Sequence, residues 1–139
     1  QMSDADQMDL YIGLSENFAT NPENVLTAAN RIGFRIVDGD ATPVLITESG
    51  GSETSTTLSV TTYDFSDATD VTVSFIATKG TTTDKVKFFI NRTLVGTHST
   101  NVPTVNLTAA AMELSGNATG TKSMSIDYIM VAQDRGVSY

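Results

Sequence analysis

KVKFFINRTLVGTH, residues 85–98, reads as a β-hairpin and decides how the rest of the chain is read. A run of β-branched and aromatic residues is followed by a two-residue break, Asn91-Arg92, and a second such run, Thr93-Leu94-Val95. Successive side chains of a strand point to opposite sides, so Val86, Phe88 and Ile90 share one face and must be core. Lys85 and Lys87 take the other face, and Phe89 stands among them as an apolar exception. Asn91 suits the left-handed backbone of a tight hairpin turn, whereas Arg92 occupies the position where glycine costs least.

Working outward, residues 70–78 alternate in the same way, with Val71, Val73, Phe75 and Ala77 set against Thr72, Ser74 and Ile76. RIGFRIV places Ile32, Phe34 and Ile36 inward and Arg35 outward, and Asp38-Gly39-Asp40 reads as the turn that ends it. DLYIGL, residues 9–14, is a first strand with Leu10 and Ile12 on one face. Residues 44–47 and 57–60 read as short strands joined by ESGGSETST, a glycine- and serine-rich loop. Residues 107–114 suit a helical turn or a strand equally, since alanines favour the first and the Ser115-Gly116-Asn117 break the second. SMSIDYIMVAQ, residues 123–133, is expected to be the longest strand, with Met124, Ile126, Tyr128 and Met130 on one face and Ile129 and Val131 on the other. A helix-start pattern, Asn21-Pro22 with Glu23 just after, allows at most one short helix near 22–29. Many short strands at close spacing predict an all-β chain, a two-sheet antiparallel β-sandwich. The expected organisation is a leader over 1–8, one sandwich domain over 9–135 and a tail over 136–139.

Composition narrows the function classes. The 139 residues are one domain's worth, and without cysteine there is neither a disulfide framework nor a thiolate metal site. A net charge of −8 with eight scattered Lys and Arg argues against a nucleic-acid backbone as partner. No apolar run approaches the roughly 20 residues of a membrane-spanning helix, so no membrane partner is expected. Charged residues make up only 17% against a usual share of about 25%, and Thr and Ser supply the polar faces in their place.

Three stretches, NRIGFRIVDGD, KVKFFINRTLVGTH and SMSIDYIMVAQDR, in that order and spacing, resemble the second half of concanavalin A-like (laminin G-like) jelly-roll modules, especially those in structural proteins of tailed bacteriophages. The resemblance covers roughly residues 9–135 and rests on fold motifs. It implies a jelly roll and a virion structural protein, a capsid decoration or a tail or fibre module, assembled in the host cytoplasm and partnered by other virion proteins. It also implies, as a second expectation, a carbohydrate-binding module with a surface glycan as ligand, because the same fold serves lectins. Arg92 departs from the glycine usual at the hairpin turn, and the strands that commonly precede the position of Asp9 are missing, which leads to the expectation that the domain is a trimmed version or that another chain or a missing segment completes it. The Glu-x-Asp-x-x-Glu strand of related glucanases is absent, Asp127 standing alone.

No constellation carries catalysis, and no cofactor or metal is expected. A retaining glycosidase needs two carboxyl groups about 5 Å apart, which alternate residues of one strand would supply, and no strand offers the pair. Asp38 and Asp40 straddle a glycine and read as turn residues. Asp64, Asp67 and Asp70 are read as a solvated acidic loop, with a calcium site as the sharper alternative. His98 is the one candidate general base, read here as a lone surface histidine because no nucleophile motif accompanies it. The sequons at Asn91, Asn106 and Asn117 are chance matches in a threonine-rich chain. Among the tyrosines (11, 63, 128 and 139), Tyr63, with Asp64 beside it, is the expected glycan contact. Ile76, Phe89, Ile129 and Val131 lie opposite the core rows of the best strands and are expected to form an interface, with a homo-oligomer or a capsid surface as partner, the alternative being that a loop such as Asn21 to Asn30 covers them.

Overall fold

The computed structural model describes residues 8–16, 28–37, 40–59, 62–63, 65, 70–80, 82–115, 125–127, 129–130 and 132. Eight strands are described: β1 Met8–Ser15, β2 Arg31–Val37, β3 Asp40–Ser49, β4 Ser52–Thr57, β5 Val73–Thr78, β6 Lys85–Ile90, β7 Thr93–His98 and β8 Thr108–Ser115. They form two antiparallel sheets, ordered β4-β3-β2-β1-β8 and β5-β6-β7. The chain is an all-β antiparallel sandwich, as its alternation requires. The helix expected near 22–29 falls mostly outside the described residues, and Ala28, Ala29 and Asn30 carry no helix.

The central hairpin forms in the expected register. Ile90 pairs with Thr93, leaving Asn91 and Arg92 as a two-residue turn with φ of 49° and 68°. Positive φ at both positions is the turn that matches the twist of the flanking strands. The Asn91 side chain accepts a hydrogen bond from the Thr72 backbone N–H at 2.9 Å, and the Asn91 N–H donates to the Thr72 carbonyl at 2.8 Å. The tip of one hairpin is thereby clipped to the start of β5. Between Phe88 and Phe89 the register shifts, so Val95 is an extra residue in β7.

Inward rows of the two sheets meet in a core of Leu10, Ile32, Phe34, Ile36, Leu45, Leu58, Phe65, Val86, Phe88 and Ile90. Phe88 is its hub. The ring meets Phe34 of the opposite sheet edge-on at 5.6 Å and lies 6.1 Å from Phe75 on the neighbouring strand. Edge-to-face contact suits the ring quadrupoles and adds to the burial of apolar area. Gly96 permits the two sheets to approach, since a Cβ there would collide with the Leu45 side chain.

Three expectations are corrected. ESGGSETST is no loop: Ser49 pairs with Ser52 across Gly50-Gly51, whose φ of 58° and 81° make another two-residue turn, and β4 follows at once. Glycine at both positions lets the chain reverse in two residues, and the small hydroxyl side chains of β4 suit an exposed edge. The later strand expected over 57–60 ends at Thr57, with Leu58 turned into the core. Residues 107–114 take the strand alternative, as β8 beside β1.

The third correction is larger. Within the span expected to be the longest strand, residues 125–127, 129–130 and 132 are in no strand, and Ile126, expected in the core, is 45% exposed. The edge of the five-stranded sheet beside β1 is taken by β8. Tyr128, also expected in the core, lies outside the described residues, as do residues 1–7 of the leader.

Candidate docking face and the polar seam between the sheets

On the outward side of the three-stranded sheet the register sets Ser74 opposite Phe89, Ile76 opposite Lys87, Thr78 opposite Lys85 and Phe89 opposite Leu94. Ile76 and Leu94 are 57% and 51% exposed, and Phe89 between them is half-buried. Ile76 and Phe89 are diagonal neighbours, close enough for long side chains to touch. Two of the four expected interface residues, Ile76 and Phe89, therefore share one patch, which also takes in Leu94 and is edged by the exposed Lys85 and Lys87. Leu94 was missed because the bulge at Val95 reverses the alternation of β7, and no residue pattern announces a bulge. Ile129 is 58% exposed on a separate segment, and Val131 lies outside the described residues.

A polar seam joins the sheets at the β7 end. His98, expected at the surface, is buried. Inward alternation from Phe88, through Gly96, carries it there, because Val86 pairs with His98 and shares its face. Its ring lies 5.1 Å from Phe88, with Nδ1 3.0 Å from Thr47 Oγ1 and Nε2 2.9 Å from Thr56 Oγ1. Thr47 Oγ1 donates to the Thr100 carbonyl at 3.1 Å, so it accepts the proton of Nδ1, and Nε2 in turn accepts from Thr56. The neutral imidazole is fully satisfied in one tautomer. Burial pushes its pKa below the usual value of 6.5. Asn101 donates to Thr54 at 3.0 Å, and Thr54 and Thr100 share a hydrogen bond at 2.8 Å, extending the seam outward.

The outward side of the five-stranded sheet carries a ladder of ion pairs. Arg31 Nε meets Glu48 at 2.7 Å and Arg31 Nη2 meets Glu53 at 2.9 Å, while Arg35 Nη1 reaches Glu53 at 3.2 Å. Arg31, Glu48 and Glu53 fall in one row across β2, β3 and β4, so strand register alone brings the charges together. Tyr11, counted among possible sugar-stacking residues, is fully buried on this same side. Its hydroxyl lies 2.8 Å from the Leu14 carbonyl and 3.0 Å from that of Ile32, and its ring covers the facing glycines Gly13 and Gly33. Burial raises its pKa well above the usual tyrosine range.

Tyr63, the expected glycan contact, is half-buried against the core, and Asp64 beside it lies outside the described residues. Asp127 is exposed and Asp70 is exposed, while Asp38 and Asp67 lie outside the described residues. Among the described residues no three His, Asp or Glu side chains gather as a metal site, and no helix is long and apolar enough to cross a membrane.

Fold and site together define a β-sandwich whose inner polar groups are engaged in joining strands and sheets and whose smaller sheet turns an apolar, lysine-edged face to solvent. Comparison of the chain with protein-family models, with curated proteins and with solved structures finds no match.

Proposed function

We propose that this chain is a non-enzymatic structural module of a virus particle, a capsid decoration or a tail or fibre component that works through protein–protein contacts. The observation that carries the contact part is the outward patch of Ile76, Phe89 and Leu94 beside Lys85 and Lys87. Each such apolar side chain is worth about 1.5–3 kcal/mol on full burial, a gain that a partner surface would collect. The polar side chains most removed from solvent, Ser15, Thr47, Arg31, His98 and Glu48, are bonded within the fold, and their role is to hold it. Support for the virion context comes from the resemblance of the β2 stretch, the β6–β7 hairpin and the 123–133 stretch to phage jelly-roll modules. Quantitative mass spectrometry of purified virions tests the reading: the chain is expected at a copy number comparable to a capsid or tail protein, and its absence from the particle sinks the proposal. Binding on a glycan array that Tyr63→Ala abolishes would instead establish the carbohydrate-binding alternative.

A further inference from the structure

The geometry points to β5 as an acceptor edge for a strand from a second copy of this chain, the strand being the segment that carries Ile126, Asp127, Ile129 and Met130. This rests on the assembly reading above and gives it a partner.

Three strands do not cover five. Through His98 and its threonine partners β7 lies over β3 and β4, and through Phe88 and Phe34 β6 lies over β2. Among the described residues the smaller sheet then stops at β5, and the sheet order leaves β8 at the far end with no described strand above it. The shortfall shows in burial: Val86, Phe88 and Ile90 of β6 are buried, whereas the inward Val73 and Phe75 of β5 are only half-buried. One more strand beside β5 would cover them.

Among the described residues no strand pairs with the outer edge of β5. Of the four edge strands described, β4 carries Glu53, β8 carries Glu113 and β7 carries a bulge, each a device that discourages pairing. β5, VSFIAT, has no charge, no proline and no register shift, so its outer backbone N–H and C=O groups form a regular template.

The donor fits that template. Ile126, Ile129 and Met130 are 45%, 58% and 81% exposed and in no strand. Their spacing puts Ile126 and Met130 on one side of an extended strand and Ile129 on the other, the pattern of a strand covered on both faces. Beside β5, the first pair would extend the core next to Val73 and Phe75, and Ile129 would lie next to Ile76 across the outward face. Ile76 and Ile129 are both exposed in the single chain, so the segment does not sit on its own β5. Reciprocal exchange between two copies covers both β5 edges at once in a closed two-fold pair, and the donor strand, which carries Asp127, becomes the new edge.

The test is the mass of the full chain by light scattering and sedimentation over a wide concentration series, for wild type, Ile76→Asp and Ile129→Asp. Wild type is expected to form a dimer, and each substitution to weaken it by about tenfold or more, since a carboxylate would be buried against an apolar neighbour. Both positions are exposed in the single chain, so at concentrations where wild type is also monomeric both variants are expected to keep its circular dichroism and melting temperature, and to melt below it only where wild type is dimeric. Mixing the two variants is expected to recover part of the dimer, because one donor and one acceptor remain intact between them. A wild type that is monomeric throughout, variants with an unchanged dissociation constant, or a mixture with no recovery overturns the exchange. A monomeric chain at high copy number in virions would overturn the exchange alone and leave the assembly reading standing.

Discussion

His98 shows how one side chain links chemistry to cohesion of the sheets. Its neutral ring accepts one hydrogen bond and donates another between Thr47 and Thr56, and the two glutamates of β3 and β4, Glu48 and Glu53, are engaged by Arg31 and Arg35 on the opposite side of that sheet. With its pKa lowered by burial, the folded chain binds this proton less readily than the unfolded chain. The resulting stability is fully present above the unfolded value of about 6.5 and is lost as pH falls through the depressed folded value. Urea midpoints are therefore expected to drop between about pH 7.5 and about pH 5.5, and more steeply for wild type than for His98→Gln. Equal slopes would mean that His98 does not contribute to that window. Phe88→Ala, which empties the ring site between Phe34 and Phe75, is expected to cost about 3–5 kcal/mol in urea titration. A loss under about 1 kcal/mol would contradict its place at the hub. The inward position of Phe88 was legible from alternation alone. The burial of His98 was not, because a histidine at the end of a strand reads alike whether or not a second sheet lies across it.

At the scale of the element, turn chemistry is where local sequence and structure meet. Arg92 holds a left-handed φ of 68°, which costs a non-glycine residue about 1–2 kcal/mol, partly offset by glycine's greater freedom in the unfolded chain. Arg92→Gly is accordingly expected to stabilise the domain by up to about 1 kcal/mol, read as a raised urea midpoint at constant slope. Gly33 is the opposite case. A Cβ there would come within 2.5 Å of the Ile12 carbonyl and 3.0 Å of the Tyr11 ring, so Gly33→Ala must push β1 away from β2. It is expected to lower stability by more than about 2 kcal/mol, well beyond the usual surface substitution; a neutral result would show that β1 yields without cost. The strands β1, β2, β5 and β6 were legible because each pairs a clean period of two with one buried face. β4 was not, because SETSTT has almost no apolar signal and becomes a strand only by lying beside β3.

For the molecule as a whole, the contact between Phe34 and Phe88 and the His98 seam tie the two sheets into one cooperative unit. Amide exchange is expected to give β2 and β6 the same opening free energy, equal to that from global unfolding. A markedly lower value for the β5–β6–β7 sheet would show that it opens alone. The sequence by itself determined the class of the fold, the inward rows of β2 and β6, the turn at Asn91-Arg92 and the outward placing of Ile76 and Phe89, because each follows from the two-residue period of a strand and from local backbone preference. Only the tertiary structure decided that residues 49–52 reverse in a two-residue turn, that Leu94 joins the outward patch, that His98 and Tyr11 are buried, and that residues 125–127, 129–130 and 132 are in neither sheet. Those outcomes depend on which strand lies beside or across from another, and pairing between distant segments is set by the packing of the whole chain rather than by any stretch of it.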